Sequence, residues 1–218
     1  MISSILVIGS GSIAKRHIAN LRLLHPGVDI ICVGSRGKSF SPDMVGATTV
    51  MTAIDDAIKV GLDYAIIASP AHLHIKHAQI LLNKNIPTLI EKPLCVELTD
   101  IKEFNFDEKR HKVAVGYNLR LMPSAQKVKQ VLMSGSLGKI ISAHADVGQY
   151  LPDWRPGLNY KNSVSAQAVL GGGALLELSH ELDYLIWFFG NFIQVSGFLG
   201  YSKLLDIDVE DSVDAMLN

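Results

Sequence analysis

Cysteine is scarce: Cys32 and Cys95 are the only two in 218 residues. They lie far apart and in no C-x-x-C spacing, which excludes a disulfide scaffold and a thiolate zinc site. Both sit in or beside apolar runs and read as buried free thiols. Charge of one sign is also missing. Twenty Lys and Arg against 21 Asp and Glu leave a net charge of -1 with no block of like charge, so neither nucleic acid nor a membrane surface is an expected partner. Long apolar runs are absent too: the first, 5–8, ends at once in Gly9, and none approaches the roughly 18 residues of a membrane span. With no charged leader ahead of it, the expected location is cytoplasmic. No internal repeat or low-complexity segment occurs. What the chain has is apolar substance, 48% hydrophobic residues and a mean hydropathy of +0.25, enough to fold one large domain or one domain and part of a second.

The pattern of that apolar content points to an α/β fold. Residues 2–8 are short and rich in β-branched side chains, continuously apolar from Ile5 to Ile8 as a strand buried on both faces should be, and break into Gly9-Ser10-Gly11-Ser12. Ile13, Ala14, His17, Ile18, Leu21 and Leu24 then recur at helical spacing until His25-Pro26-Gly27 stops them, and a second buried strand, 30–33, follows. Strand, glycine turn, helix and strand within about 30 residues make one βαβ unit with a right-handed crossover. The alternation continues through a helix at 53–60, a strand at 64–68, a helix at 73–82, a strand at 88–90, a helix at 99–109 and a strand at 113–115. Together these predict a Rossmann-type, doubly wound parallel sheet over residues 1–120.

Beyond Arg120 the grammar changes. A helix at 124–133, a longer strand at 139–147 and a loop rich in Trp, Pro, Tyr and Asn come next. Gly171-Gly172-Gly173 then opens an apolar helix running to Phe189, and alternating strands at 192–201 and 209–217 follow. Residues 121–218 are therefore expected to form an α+β domain with an open, mainly antiparallel sheet.

Gly9, Gly11 and Ala14 fit G-x-G-x-x-G/A where a buried strand hands over to a helix. Gly9 allows the tight turn, Gly11 lets the backbone approach a pyrophosphate, and Ala14 is small enough for close helix–sheet packing. The first helical residues, Ser12 and Ile13 with Ala14, present N–H groups and a positive dipole end to that phosphate. A dinucleotide is the expected cofactor. A carboxylate at the end of the second strand would accept from a ribose 2′-hydroxyl, but Gly34-Ser35-Arg36 stands there instead. Ser35 and Arg36 suit a 2′-phosphate, so NADP is expected ahead of NAD. Against this, Arg36 as a solvated cation or a stacking partner for adenine leaves NAD acceptable.

Thr88-Leu89-Ile90-Glu91-Lys92-Pro93 ends a buried strand with a charged pair just before proline. Proline disfavours the α region for the residue before it, so Lys92 is expected to point from the carboxyl edge of the sheet, where open α/β folds bind ligands. A partly desolvated ammonium placed there can exchange a proton with a substrate hydroxyl. His72, His74 and His77 raise the question of a metal; no cysteine or carboxylate stands near them to complete a site, and no metal is expected.

These residues in order resemble a known family: Gly9 to Ala14, then Ala68-Ser69-Pro70 with His74, then Glu91-Lys92-Pro93, then the tri-glycine helix. The chain is similar over essentially its whole length to the Gfo/Idh/MocA oxidoreductases, the glucose-fructose oxidoreductase and inositol dehydrogenase family. The resemblance implies that Lys92 is the catalytic and cofactor-positioning lysine and that Ser69 and Pro70 with His74 line the nicotinamide side; Ala68 and Glu91 are also expected to bind the cofactor. It further implies that Glu177 and His180 of the tri-glycine helix face substrate hydroxyls. Two departures stand out: Glu177 replaces the common Asp, and His180 follows it by three positions rather than four. At that spacing the pair still shares a helix face, while the alternative register puts Glu181 in the histidine's place.

Upstream, Trp154, Arg155 and Tyr160 belong to an aromatic and cationic loop of the kind that stacks on sugar rings and pairs with carboxylate or phosphate; packing beneath a long loop is the other reading. In the family the second domain continues beyond the length present here, and its sheet often forms subunit contacts. This implies an incomplete second domain and a homo-oligomer through the C-terminal sheet. The expected function is NAD(P)-dependent hydride transfer to or from a sugar, sugar derivative or polyol. The alternative is a non-catalytic NAD(P)-binding regulatory or sensing protein.

Overall fold

The computed structural model describes every residue except Met1, Glu103, Asn105, Glu108 and Lys109. Contacts divide the chain into two units, Met1–Gly116 and Tyr117–Asn218.

The first unit is built on β1 (Ser4–Ile8), α1 (Ser12–Leu24), β2 (Asp29–Val33), β3 (Thr49–Met51), α2 (Ile54–Lys59), β4 (Tyr64–Ile67), α3 (His74–Leu82), β5 (Thr88–Ile90), α4 (Leu98–Lys102) and β6 (Val113–Val115). All six strands are parallel in the order β3-β2-β1-β4-β5-β6. That is the doubly wound dinucleotide-binding order, and it reverses between β1 and β4. Each residue of β1 is buried, because both faces of the sheet are covered. Leu6 and Ile8 pack with Ala57 of α2 and Ala78 and Leu81 of α3, whereas Ile5 and Val7 pack with Ala14 and Ile18 of α1. This explains why the strand reads as an unbroken apolar run rather than an alternating one.

Two elements of this unit differ from expectation. The three-residue strand β3 carries no apolar run long enough to announce itself; pairing to β2 through Cys32↔Val50 creates it. The helix expected at 99–109 is seen as α4 over Leu98–Lys102, and Glu103, Asn105, Glu108 and Lys109 lie outside the described residues.

The second unit contains α5 (Pro123–Met133), α6 (Ala174–Glu177), α7 (His180–Phe189), β7 (Val195–Gly200) and β8 (Ser212–Leu217). The two strands pair antiparallel, Val195 opposite Leu217. Lys129 of α5 donates to the carbonyls of Trp187 and Phe188 at the end of α7 and lies 5.7 Å from the Trp187 ring centroid. Arg120 grips Asp183 of α7 with two bonds, Nε to Oδ2 at 2.7 Å and Nη2 to Oδ1 at 2.6 Å.

The strand expected at 139–147 is not one. His144 to Val147 run beside Val213 and Ala215 of β8 across a cavity of about 220 Å³. Among the described residues the segment joins no ladder, and a strand exists only where ladder hydrogen bonds close. Nor is the tri-glycine helix continuous. It breaks at Leu178 and Ser179 into α6 and α7, where Ser179 Oγ donates back to the Leu176 carbonyl at 2.9 Å, a local bond by which serine competes with helix propagation. Glu177 and His180 therefore belong to two helices, not to one shared face. Among the described residues no helix is long and apolar enough to cross a membrane.

Candidate functional site

Register aligns the ends of the parallel strands: Ile8 lies opposite both Val33 and Ile67, and Ile67 opposite Ile90, which pairs with Val115. The residues just beyond, Gly9, Gly34, Ala68, Glu91 and Gly116, thus form one row along the carboxyl edge. At the reversal point Gly9 has φ +126°, and a Cβ there would stand 2.3 Å from the Ala68 carbonyl oxygen. No other residue fits. The Cys32 thiol donates to the Gly9 carbonyl at 3.2 Å, and burial pushes that thiol up to about 11.

Gly11 is different. Its backbone is extended, and a Cβ would meet no atom of the described residues within 4 Å. Among the described residues no side chain or backbone atom requires glycine there, and the space in front of it is open. α1 begins beside this space with no side-chain cap and no acidic residue in its first turn, leaving the N–H groups of Ser12, Ile13 and Ala14 to face it. Ala14 itself is fully buried against the sheet. The residues present fit a diphosphate. Beyond β2, Gly37 N–H closes a turn on the Gly34 carbonyl at 2.8 Å, which leaves Ser35 half-buried and Arg36 exposed, with no ion pair to Arg36 among the described residues.

On the other side of the reversal, Ala68-Ser69-Pro70 leads into α3. His74 is 1% exposed; its Nδ1 lies 2.8 Å from the Pro93 carbonyl and its Nε2 2.8 Å from the Ser69 carbonyl. The side chain is therefore buried between the two loops and ties them together. Burial is the largest influence on it and lowers its pKa, against the opposing pull of the two carbonyls and of Glu91. His77 Nδ1 bonds Ser69 Oγ at 3.0 Å, and burial pulls His77 down to about 4. His72 is exposed, so the three histidines diverge. Among the described residues no group of three or more His, Cys, Asp or Glu side chains converges as metal ligands would.

Glu91 accepts from His17 of α1, Nε2 to Oε1 at 2.7 Å, and from the Lys92 backbone N–H at 3.3 Å. Burial raises the Glu91 pKa, but the His17 bond, its charge and the Lys92 N–H outweigh it and hold the carboxyl below its ordinary value. A Cβ on Gly116 would come within 3.2 Å of the same carboxylate. Lys92 is half-buried and its peptide bond to Pro93 is cis. It is thus flanked by a residue pinned through His17 and a residue pinned through His74.

In the second unit, Gly172 and Gly173 are packed as tightly as Gly9. A Cβ on Gly172 would lie 2.3 Å from the Val164 carbonyl oxygen, and one on Gly173 2.4 Å from Glu210 Oε1. Glu210 also accepts from the Leu175 N–H at 2.9 Å, which anchors α6. Glu177 and Trp154 line one pocket of about 320 Å³, and Trp154, Arg155 and Tyr160 line another of about 310 Å³. His180 packs edge-on to Tyr117, centroids 5.6 Å apart.

Comparison with known proteins agrees with this geometry. Residues 3–119 match the profile of the Gfo/Idh/MocA oxidoreductases, described as an NAD-binding Rossmann fold, and residues 125–218 match a C-terminal domain of the same family. The chain belongs to the Gfo/Idh/MocA oxidoreductase family. A relative in sequence is the myo-inositol dehydrogenase Hyg17 of Streptomyces leeuwenhoekii, 24% identical over 98% of this chain and 65% of that protein. An inositol 2-dehydrogenase of Saccharopolyspora erythraea is 29% identical over 63% of this chain and 43% of that protein. In fold, the chain resembles the WlbA dehydrogenase of Bordetella pertussis, solved in complex with NADH and UDP-GlcNAcA. The TM-score is 0.78 at 21% identity, over all of this chain and 68% of that one. The chain spans between about a third and 65% of the length of these and similar sequence relatives.

Some residues of this Gfo/Idh/MocA chain that shape its site were not visible as such in the sequence. His17 registers only as part of a helical stripe, Gly116 only as the end of a short strand, and Glu210 not at all. Each acts through a contact with a residue far away in the chain, and no local spacing encodes that.

Proposed function

We propose that this protein is an NAD(P)-dependent dehydrogenase or reductase acting on a CH–OH group of a sugar, sugar derivative or polyol, with a preference for NADP. The observation that carries the reading is the setting of Lys92, on the carboxyl edge of an NAD-binding sheet and between two anchored neighbours. Names of relatives, inositol dehydrogenases among them, and the NADH and UDP-GlcNAcA held by the Bordetella protein support the substrate class.

The main chain of Gly9 to Ala14 would hold the diphosphate, Ser35 and Arg36 the adenosine ribose end, and Ala68, Ser69 and Pro70 the nicotinamide end. When bound, the nicotinamide supplies hydride exchange with a carbinol or carbonyl carbon. The Lys92 ammonium gives a proton to the substrate oxygen in reduction, and the neutral amine takes one from the substrate hydroxyl in oxidation. Glu91 and His74 fix the backbone on either side of it, so that Nζ swings from a stationary base; preorganisation of this kind is how positioning lowers a barrier. In the second unit Glu177, with His180, is proposed to meet substrate hydroxyls.

The test separates binding from chemistry. Lys92→Met is expected to lower turnover by about a hundredfold or more, followed by nicotinamide absorbance across a panel of polyols and acidic and neutral sugars. Calorimetry measures cofactor uptake independently. Near-full turnover in that variant overturns the mechanism, and cofactor uptake with no turnover in the unaltered protein favours a binding or sensing role instead.

A further inference from the structure

Two pockets of the second unit share a wall and carry opposite charge. The loop pocket, about 310 Å³, has Arg155 as its single charged lining residue. The adjoining pocket, about 320 Å³, is lined by Glu177, Glu210 and Asp211 and by no cation. Leu151, Trp154 and Ser165 line both. Both volumes fall in the range of small-molecule sites.

Trp154 Nε1 and, in the loop pocket, Ser163 Oγ are shielded from water and have no hydrogen-bond partner among the described residues. Leaving a buried donor unsatisfied is costly, so two of them at one pocket mark a place where a ligand's acceptor would be welcome. An indole N–H only donates, which makes its missing partner an acceptor. Arg155 has no ion pair among the described residues, and a guanidinium favours planar oxyanions. The carboxylates of the adjoining pocket only accept, and suit a ligand rich in hydroxyl donors.

We propose that the two pockets together hold one acidic carbohydrate. Its carboxylate or phosphate lies on the Arg155 side and accepts from Trp154 and Ser163; its hydroxylated ring lies across Trp154 on the Glu177 side. The proposal rests on the sugar-dehydrogenase reading and narrows its substrate to an anionic sugar.

Calorimetry without cofactor tests it, with glucuronate, glucose 6-phosphate, glucose and inorganic phosphate as probes. At least one of the two acidic sugars should bind about tenfold or more tighter than glucose, and tighter than phosphate alone. Which of them wins identifies the anion. Trp154→Phe keeps the aromatic wall and deletes the N–H, and should weaken the acidic sugar by about tenfold. Arg155→Gln alters an exposed side chain and should erase the preference over glucose. Glucose binding as well as the acids, an unchanged Trp154→Phe, or no binding of any probe overturns the proposal. Because neither cofactor nor turnover enters the readout, acidic-sugar binding without turnover sinks the dehydrogenase reading alone, and turnover without acid preference sinks this one alone.

Discussion

His17 Nε2 and Glu91 Oε1 stand 2.7 Å apart, joining the helix that follows the glycine turn to the residue before Lys92. Both side chains are less than a fifth exposed, so the bond is shielded. Replacing Glu91 by Gln should destabilise the protein by about 1.5–3 kcal/mol, the range for hydrogen bonds to charged groups. A double-mutant cycle with His17→Ala should return a coupling of about 1 kcal/mol or more. Because the Glu91 pKa is held below 4.5, its contribution is complete above that pH and is lost as pH falls through the lower folded value. Glu91→Gln should flatten the acid limb of thermal stability there.

The two glycines of the turn should separate fold from ligand. Gly9→Ala forces a Cβ at φ +126° to within 2.3 Å of the Ala68 carbonyl and should cost more than about 3 kcal/mol, seen as a collapsed Tm or loss of soluble protein. Gly11→Ala meets open space, so its Tm should stay within a degree or two of the parent while the dissociation constant for NAD(P) rises about tenfold or more, read by calorimetry. Equal effects of the two on cofactor affinity at unchanged Tm would contradict this division.

His77 gives a second pH signature of defined sign. Burial first, then the neighbouring His74, Lys76 and His72, pull it from 6.5 to about 4. The unfolded chain therefore binds this proton first on acidification. The associated stability is fully present above pH 6.5 and is lost progressively toward pH 4, worth roughly 3 kcal/mol in all. His77→Gln should remove that slope from Tm measured between pH 4 and 7; an unaltered slope would place the buried proton linkage elsewhere.

Arg36 is the residue proposed to favour NADP over NAD. Arg36→Ala removes an exposed cation, so stability should be unaffected while the ratio of NADP to NAD affinity drops by about tenfold, one charged contact. An unchanged ratio in competitive titrations would remove Arg36 from the site.

How much of this was legible in sequence varies with the length scale of the cause. The run Ile5 to Ile8, the break at Gly9, and the stripe from Ile13 to Leu24 are local and periodic, and they anticipate β1, its turn and α1. The Glu91-Lys92-Pro93 edge was legible for the same reason. Non-local causes were not: β3 is made by its neighbour, the segment around His144 is left unpaired by a gap, and Ser179 divides a helix whose apolar pattern runs straight through it.

Alternation of strand and helix, the glycine spacing and the family resemblance are properties of the chain as written, and they determined the doubly wound architecture and its cofactor class. Tertiary structure alone decided that Gly9 is required by the Ala68 carbonyl whereas a Cβ at Gly11 would meet none of the described residues. It alone brought His17 onto Glu91, buried His74 between two loops and set Trp154 between an arginine pocket and a carboxylate pocket. The reason is physical: local propensity follows from neighbours a few residues apart, while burial, hydrogen-bond partners and charge surroundings depend on atoms that only folding brings together.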